Sequence, residues 1–283
     1  MVWDATDGVA DSDGACDILR GFFWHAEVLE DADRRVLAEA HTRDSGTCFG
    51  GKADCGLCAD DDVAVVTLQA VALLFDMDGT LVDSNAAVER AWAFWCRHYQ
   101  LNLEEVLHFS HGRPTLATMD HFGARFAPGK DWSEEADEMQ RMELADLGST
   151  KAIGGARELL AQLDDSRWAV VTSAPRQLAE IRIQAAGLPL PKLLVPADEI
   201  SSGKPHPEGY LKAASKLGVP ADECVVFEDT PPGVEAGLNA GMQVIGLLTT
   251  VAADRLRTGF VIRDYSYLRV TPNEAGYKLE ISS

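Results

Sequence analysis

Asp76 and Asp78 stand two residues apart, immediately after the apolar run Ala72–Phe75. Side chains at i and i+2 beyond a strand project the same way, and the carboxyl ends of strands are where α/β sheets place their ligands. Alone, an Asp-x-Asp is more often a solvated loop. Here other apolar runs end in residues of matching chemistry. Thr172 and Ser173 follow Ala169–Val171, Lys204 lies in Ser202-Gly203-Lys204-Pro205-His206-Pro207, and Glu228-Asp229 follow Cys224–Phe227. In a parallel sheet these ends converge on one edge, so four carboxylates, a hydroxyl and one lysine meet in a crevice. Such a cluster needs a hard cation, and carboxylate oxygens with several waters retained suit Mg²⁺. The candidate metal ligands are Asp76, Asp78, Glu228 and Asp229, with Lys204 balancing the remaining charge.

The elements that would position these residues are legible from Val63 onward. Short apolar β-rich runs (Ala72–Phe75, Ala169–Val171, Leu193–Val195, Cys224–Phe227 and Val244–Leu248) alternate with helical patterns such as Ala156, Leu159, Leu160, Leu163 and Tyr210, Ala213, Ala214, Leu217. That alternation predicts βαβ units and a parallel sheet, an α/β fold of the doubly wound, Rossmann-like kind. Thr230 followed by Pro231 and Pro232 predicts a helix start, because the first turn has no use for its N–H groups. Residues 85–151 are too many for one crossover helix and are rich in Ala, Glu, Trp and Met, which predicts a small inserted helical subdomain. The sequence-predicted core is therefore 63–84 with 152–283. Asp83 and Ser84 either order the chain entering the insert or cap its first helix.

Lys+Arg number 25 against 45 Asp+Glu, a net charge of −20. That charge repels polyphosphate at long range and argues against nucleic acid or an anionic membrane as partner. No apolar stretch is long enough to span a bilayer, since Val63–Phe75 is short and carries Thr67 and Gln69. The Asp-studded N-terminus lacks the pattern of a secretory signal, so a cytoplasmic location and free thiols at the six cysteines are expected. A monomer is expected as well. Residues 1–62 hold 12 Asp and 3 Glu against 5 Lys and Arg and show little periodicity, which predicts a weakly ordered acidic extension. Within it Cys55-x-x-Cys58 has zinc-ligand spacing, but with His41 and Cys48 it completes no recognised pattern.

The strings DMDGTLVDS, TSAP, GKPHPE and VVFEDTPPGVEAGLNAG, in that order, resemble the four motifs of the haloacid dehalogenase superfamily, in its subfamily with a helical cap between the first and second. The likeness runs from about Leu73 to Leu248. It implies that Asp76 is a nucleophile, Asp78 a general acid/base, Thr172 the phosphate-binding hydroxyl, Lys204 the balancing cation and Asp229 with Glu228 the metal anchor; Ser173 beside Thr172 is a further substrate-binding candidate. An aspartate at position 78 separates the chain from the family's dehalogenases and phosphonate hydrolases, whose leaving groups need no such acid. The residue chemistry agrees, because a carboxylate beside Mg²⁺ can attack phosphorus in line to give an aspartyl-phosphate. His111 and Arg113, within His108–Thr115, are similar to a His-Gly-Arg specificity loop of sugar and polyol phosphatases, although an arginine on a helical insert is also a common surface residue. The expectation is a Mg²⁺-dependent phosphatase of small phosphate esters, sugar or polyol phosphates first. A phosphoglucomutase-like transfer and a catalytically vestigial binding protein are its rivals.

Overall fold

Strands β1 (Val65–Ala70) and β2 (Ala72–Phe75) are separated only by Val71, yet they enter different sheets. The computed structural model describes residues 65–282, so the N-terminal extension and its candidate zinc ligands lie outside the described residues. Strand β2 is buried along its whole length. It sits inside a six-stranded sheet with β5 (Trp168–Val171), β6 (Leu194–Val195), β7 (Cys224–Glu228), β8 (Gln243–Leu247) and β9 (Phe260–Ile262). The order is β6-β5-β2-β7-β8-β9, and every pairing is parallel.

Both faces of this sheet are covered, which is why its strands read as unbroken apolar runs rather than alternating ones. Leu73, Phe75, Val170, Val225, Phe227 and Ile245 face one layer, containing α5 (Ala156–Leu160) and α6 (Arg176–Ala185). Ala72, Leu74, Ala169, Val226 and Val244 face the other, built from α7 (Glu208–Leu217) and α8 (Pro231–Asn239), with the short α9 (Ala253–Leu256) beyond. Phe75 stacks on Phe227 across neighbouring strands, with ring centroids 4.8 Å apart.

Two features outside the parallel sheet were not anticipated from the sequence. Strand β1 pairs antiparallel with β11 (Gly276–Ser282), which also pairs with β10 (Leu268–Asn273). Val270, Leu279 and Ile281 of this small sheet join the first core layer. The second feature is a two-stranded clamp. Val82 and Asp83 (β3) pair with Lys151 and Ala152 (β4) on either side of the insert. Between them lie α1 (Asn85–Tyr99), α2 (Leu103–Ser110), α3 (Thr115–Gly123) and α4 (Ser133–Ala145). These pack around their own apolar cluster of Trp92, Trp95, Val106, Met119, Phe122 and Trp132.

Candidate active site

Asp76 follows β2, Thr172 follows β5, and Glu228 and Asp229 stand at the end of β7. Parallel neighbours end on the same side, so these residues meet there, as the motif spacing predicted. Asp76, Glu228 and Asp229 are buried, and one oxygen of each lies within 4.8 Å of the others. Lys204 reaches between Asp76 and Glu228, lying 2.6 Å from Glu228 Oε1. Glu228 also accepts from the Tyr210 hydroxyl at 2.7 Å, the Asp229 amide and Thr230 Oγ1. Asp229 accepts from Thr80 Oγ1 at 2.9 Å and from Thr250.

Gly79 makes this approach possible. Its φ is +77°, and a Cβ there would fall 2.0 Å from Asp229 Oδ2. Gly233, in the first turn of α8, leaves room in the same way for the Glu228 carboxylate. Thr230 caps that helix by accepting from the Gly233 amide at 3.3 Å, the start that the Thr-Pro-Pro string predicted.

One lysine cannot neutralise three buried carboxylates. Burial lifts the Asp76 carboxyl well above the usual carboxylate range against the pull of Lys204, and Glu228 and Asp229 add to the lift. Burial, with the charge of Glu228, pushes Asp229 up to about 7 against the hydrogen bonds of Thr250 and Thr80. Burial works against the Lys204 ammonium too, but Asp76 and Glu228 outweigh it and hold its pKa above the ordinary value. A buried, oxygen-only set with excess negative charge is the donor chemistry of a hard divalent cation.

Asp78 is placed differently from the other carboxylates. It is not one of the clustered trio; Arg182 Nη1 lies 3.0 Å from each of its oxygens, and Ser84 Oγ donates to Oδ1. Ser84 makes no side-chain cap on α1, the second of its two sequence alternatives, and its hydroxyl bonds Asp78 instead. Thr172 is buried, and its Oγ1 accepts from the Ala174 amide. Ser173 Oγ donates to the Gly112 carbonyl at 3.0 Å, tying the core to the insert's His111–Arg113 loop. His111 and Arg113 both line the cleft of about 100 Å³ that holds Asp76, Asp78, Thr172 and Asp229. Burial, then His108 and Arg255, lower the His111 pKa. Arg113 stacks on the Phe109 ring at 4.4 Å and donates to the Phe109 carbonyl at 2.7 Å.

Arg182, Glu143 and Thr250 also belong to the site and were missed from sequence. A signal existed for two of them. Arg182 falls four residues after Leu178 and three after Ala179, on the buried face of α6, and Glu143 falls four after buried Met139 on α4. A charge on an apolar helical face is rarely there without a partner.

The family model described as haloacid dehalogenase-like hydrolase matches residues 71–241. Hexitol phosphatase A of Escherichia coli is 40% identical over 215 residues, covering 74% of this chain and 98% of the relative. Validoxylamine A 7'-phosphate phosphatase of Streptomyces hygroscopicus is 39% identical over 67% of this chain and 91% of its own length. Among solved structures, a putative β-phosphoglucomutase of Bacteroides vulgatus superposes with a TM-score of 0.58 at 26% identity, over 69% of this chain and 84% of that one. The chain belongs to the haloacid dehalogenase-like hydrolases.

Proposed function

We propose that the chain hydrolyses the phosphate esters of sugars or polyols through an aspartyl-phosphate formed on Asp76. The chain is a phosphoric monoester hydrolase by family and by its named relatives. The finer reading rests on one observation above all: Asp76 is buried within reach of both Lys204 and a carboxylate set able to hold a divalent cation.

In this reading Asp76 attacks phosphorus in line, forming an acyl-phosphate bond as the ester P–O bond breaks. Asp78 gives its proton to the departing alkoxide and then takes one from the water that attacks the acyl phosphate, releasing inorganic phosphate and freeing Asp76. Thr172 and Ser173 orient the phosphoryl oxygens, and Lys204 absorbs charge on them. Asp76 and Asp229, with Glu228, would hold Mg²⁺, which when bound supplies further charge neutralisation at those oxygens. The helical insert acts as a cap. Its His111 and Arg113 contact the leaving group, so selectivity comes from this loop while the core handles only the phosphoryl group.

The similarity to a putative β-phosphoglucomutase supports transfer to a second sugar phosphate as the alternative. A phosphate-release assay over hexitol, glycerol and hexose phosphates, with Mg²⁺ and with chelator, decides between them. Hydrolysis requires metal-dependent release of free phosphate. Conversion of a hexose 1-phosphate into the 6-phosphate without release would replace this reading by the mutase, and full activity under chelation would remove the metal from it.

A further inference from the structure

Two charged side chains in the cleft have no part in the chemistry above. Arg182, on α6, has only 3% of its side chain exposed, and Glu143, near the end of α4, has 9%. A guanidinium is expensive to bury unless carboxylates compensate it. Arg182 is compensated on both sides. Its Nη1 spans the two Asp78 oxygens at 3.0 Å each, and its Nη2 lies 3.1 Å from Glu143 Oε2, an ion pair without a hydrogen bond. Asp78 and Arg182 belong to the core, whereas Glu143 belongs to the insert, so the row Glu143–Arg182–Asp78 crosses from one to the other inside the cleft.

An acid that serves an in-line displacement must face the bridging oxygen of the ester. Asp78 lies in a turn outside the regular strands, and its carboxyl is partly open to the cleft. Backbone alone leaves the side-chain torsions of such a residue free. Bonds from Ser84 to one oxygen and from Arg182 to both remove that freedom. We propose that Arg182 is a positioning residue for the leaving-group step, aiming Asp78 at the ester oxygen, and that Glu143 of the insert holds Arg182 in place. The inference builds on Asp78 as the general acid.

The test compares kcat/KM for an alkyl ester, glycerol 1-phosphate, with that for para-nitrophenyl phosphate. This ratio of constants reports events up to departure of the leaving group. A glycerol alkoxide needs a proton to leave, and a nitrophenolate does not. Arg182→Gln is expected to lower the alkyl-to-aryl ratio by about 10- to 100-fold, the cost of a misplaced catalytic group. Arg182→Lys, whose single ammonium can still reach Asp78, is expected to recover part of that loss, and Glu143→Gln to shift the ratio the same way by less. Should Arg182→Gln fail to fold, the other two variants carry the same comparison. An unchanged ratio in the Arg182 variants, with or without an equal loss on both esters, overturns the positioning role. Asp78→Asn measured beside them tells which idea failed. A selective loss there with none in the Arg182 variants sinks the inference alone, and an equal loss on both esters in Asp78→Asn sinks the acid role as well.

Discussion

Asp76 is held by burial against ionisation and by Lys204 in favour of it, a balance that suits the proposed role of a buried anionic nucleophile. Asp76→Asn keeps the shape and removes the proposed nucleophile. Turnover is expected to fall by about 10⁴-fold or more with the melting temperature nearly unchanged, and near-wild-type phosphate release would exclude the covalent route. Asp229 allows a second test. Its pKa rises from 3.8 to about 7 in the folded chain, so between those values the native state binds more protons than the unfolded one. Stability of the metal-free protein therefore falls as pH rises through that window. In chelator, the protein is expected to melt at a higher temperature at pH 5 than at pH 8. Mg²⁺ is expected to restore stability at pH 8, and Asp229→Asn to flatten the slope. A chelated wild type with the same slope as Asp229→Asn would contradict the assignment.

At the scale of elements, the site depends on how closely loops and helix starts approach the carboxyl ends of β2 and β7. The turn after β2 brings Gly79 against Asp229, and α8 begins with Gly233 against Glu228. Each position has room for no side chain. Gly79→Ala would add a Cβ 2.0 Å from Asp229 Oδ2 at a φ of +77°. The left-handed backbone costs about 1–2 kcal/mol for a residue with a Cβ, and the clash displaces Asp229 as well. The expected result is a protein that still folds cooperatively but has lost Mg²⁺ affinity, read by titrating activity with the metal. Unchanged metal dependence would show that the turn serves the fold alone.

At the scale of the whole molecule, the described residues, 65–282, belong to one compact unit. Its first strand is not part of the parallel sheet: β1 pairs along its full length with β11, the middle strand of the antiparallel sheet. Two truncations separate the consequences. A chain starting at Val63 is expected to remain folded and active, because every pairing among the described residues is retained. One starting at Val71 strips β1 from β11, exposes Leu279 and Ile281 of the core layer, and is expected to melt at a clearly lower temperature. Equal melting of the two would make β1 dispensable. Loss of folding in the longer one would give residues 1–62 a structural role. Among the described residues, no helix is long and apolar enough to cross a membrane.

The parallel sheet, the helical insert and the meeting of Asp76, Thr172, Lys204, Glu228 and Asp229 were readable because each rests on local patterns. A strand buried on both faces is an apolar run, a helix start carries its cap, and parallel strands put their ends on one edge whatever the connections. The β1–β11 pairing and strand β9 were not readable. Val65–Ala70 alternates exposure along its length, and nothing local in such a strand names a partner more than 200 residues away. Arg182 and Glu143 were hidden for a related reason. Each shows as a charge on an apolar helical face, but only the packing of α4, α6 and the turn after β2 brings Arg182 to Asp78 and Glu143 to Arg182. Sequence periodicity thus determined which residues stand at the reacting edge, because that depends on strand direction alone. Tertiary structure decided what holds the Asp78 side chain in place, because those contacts join elements that share no local pattern.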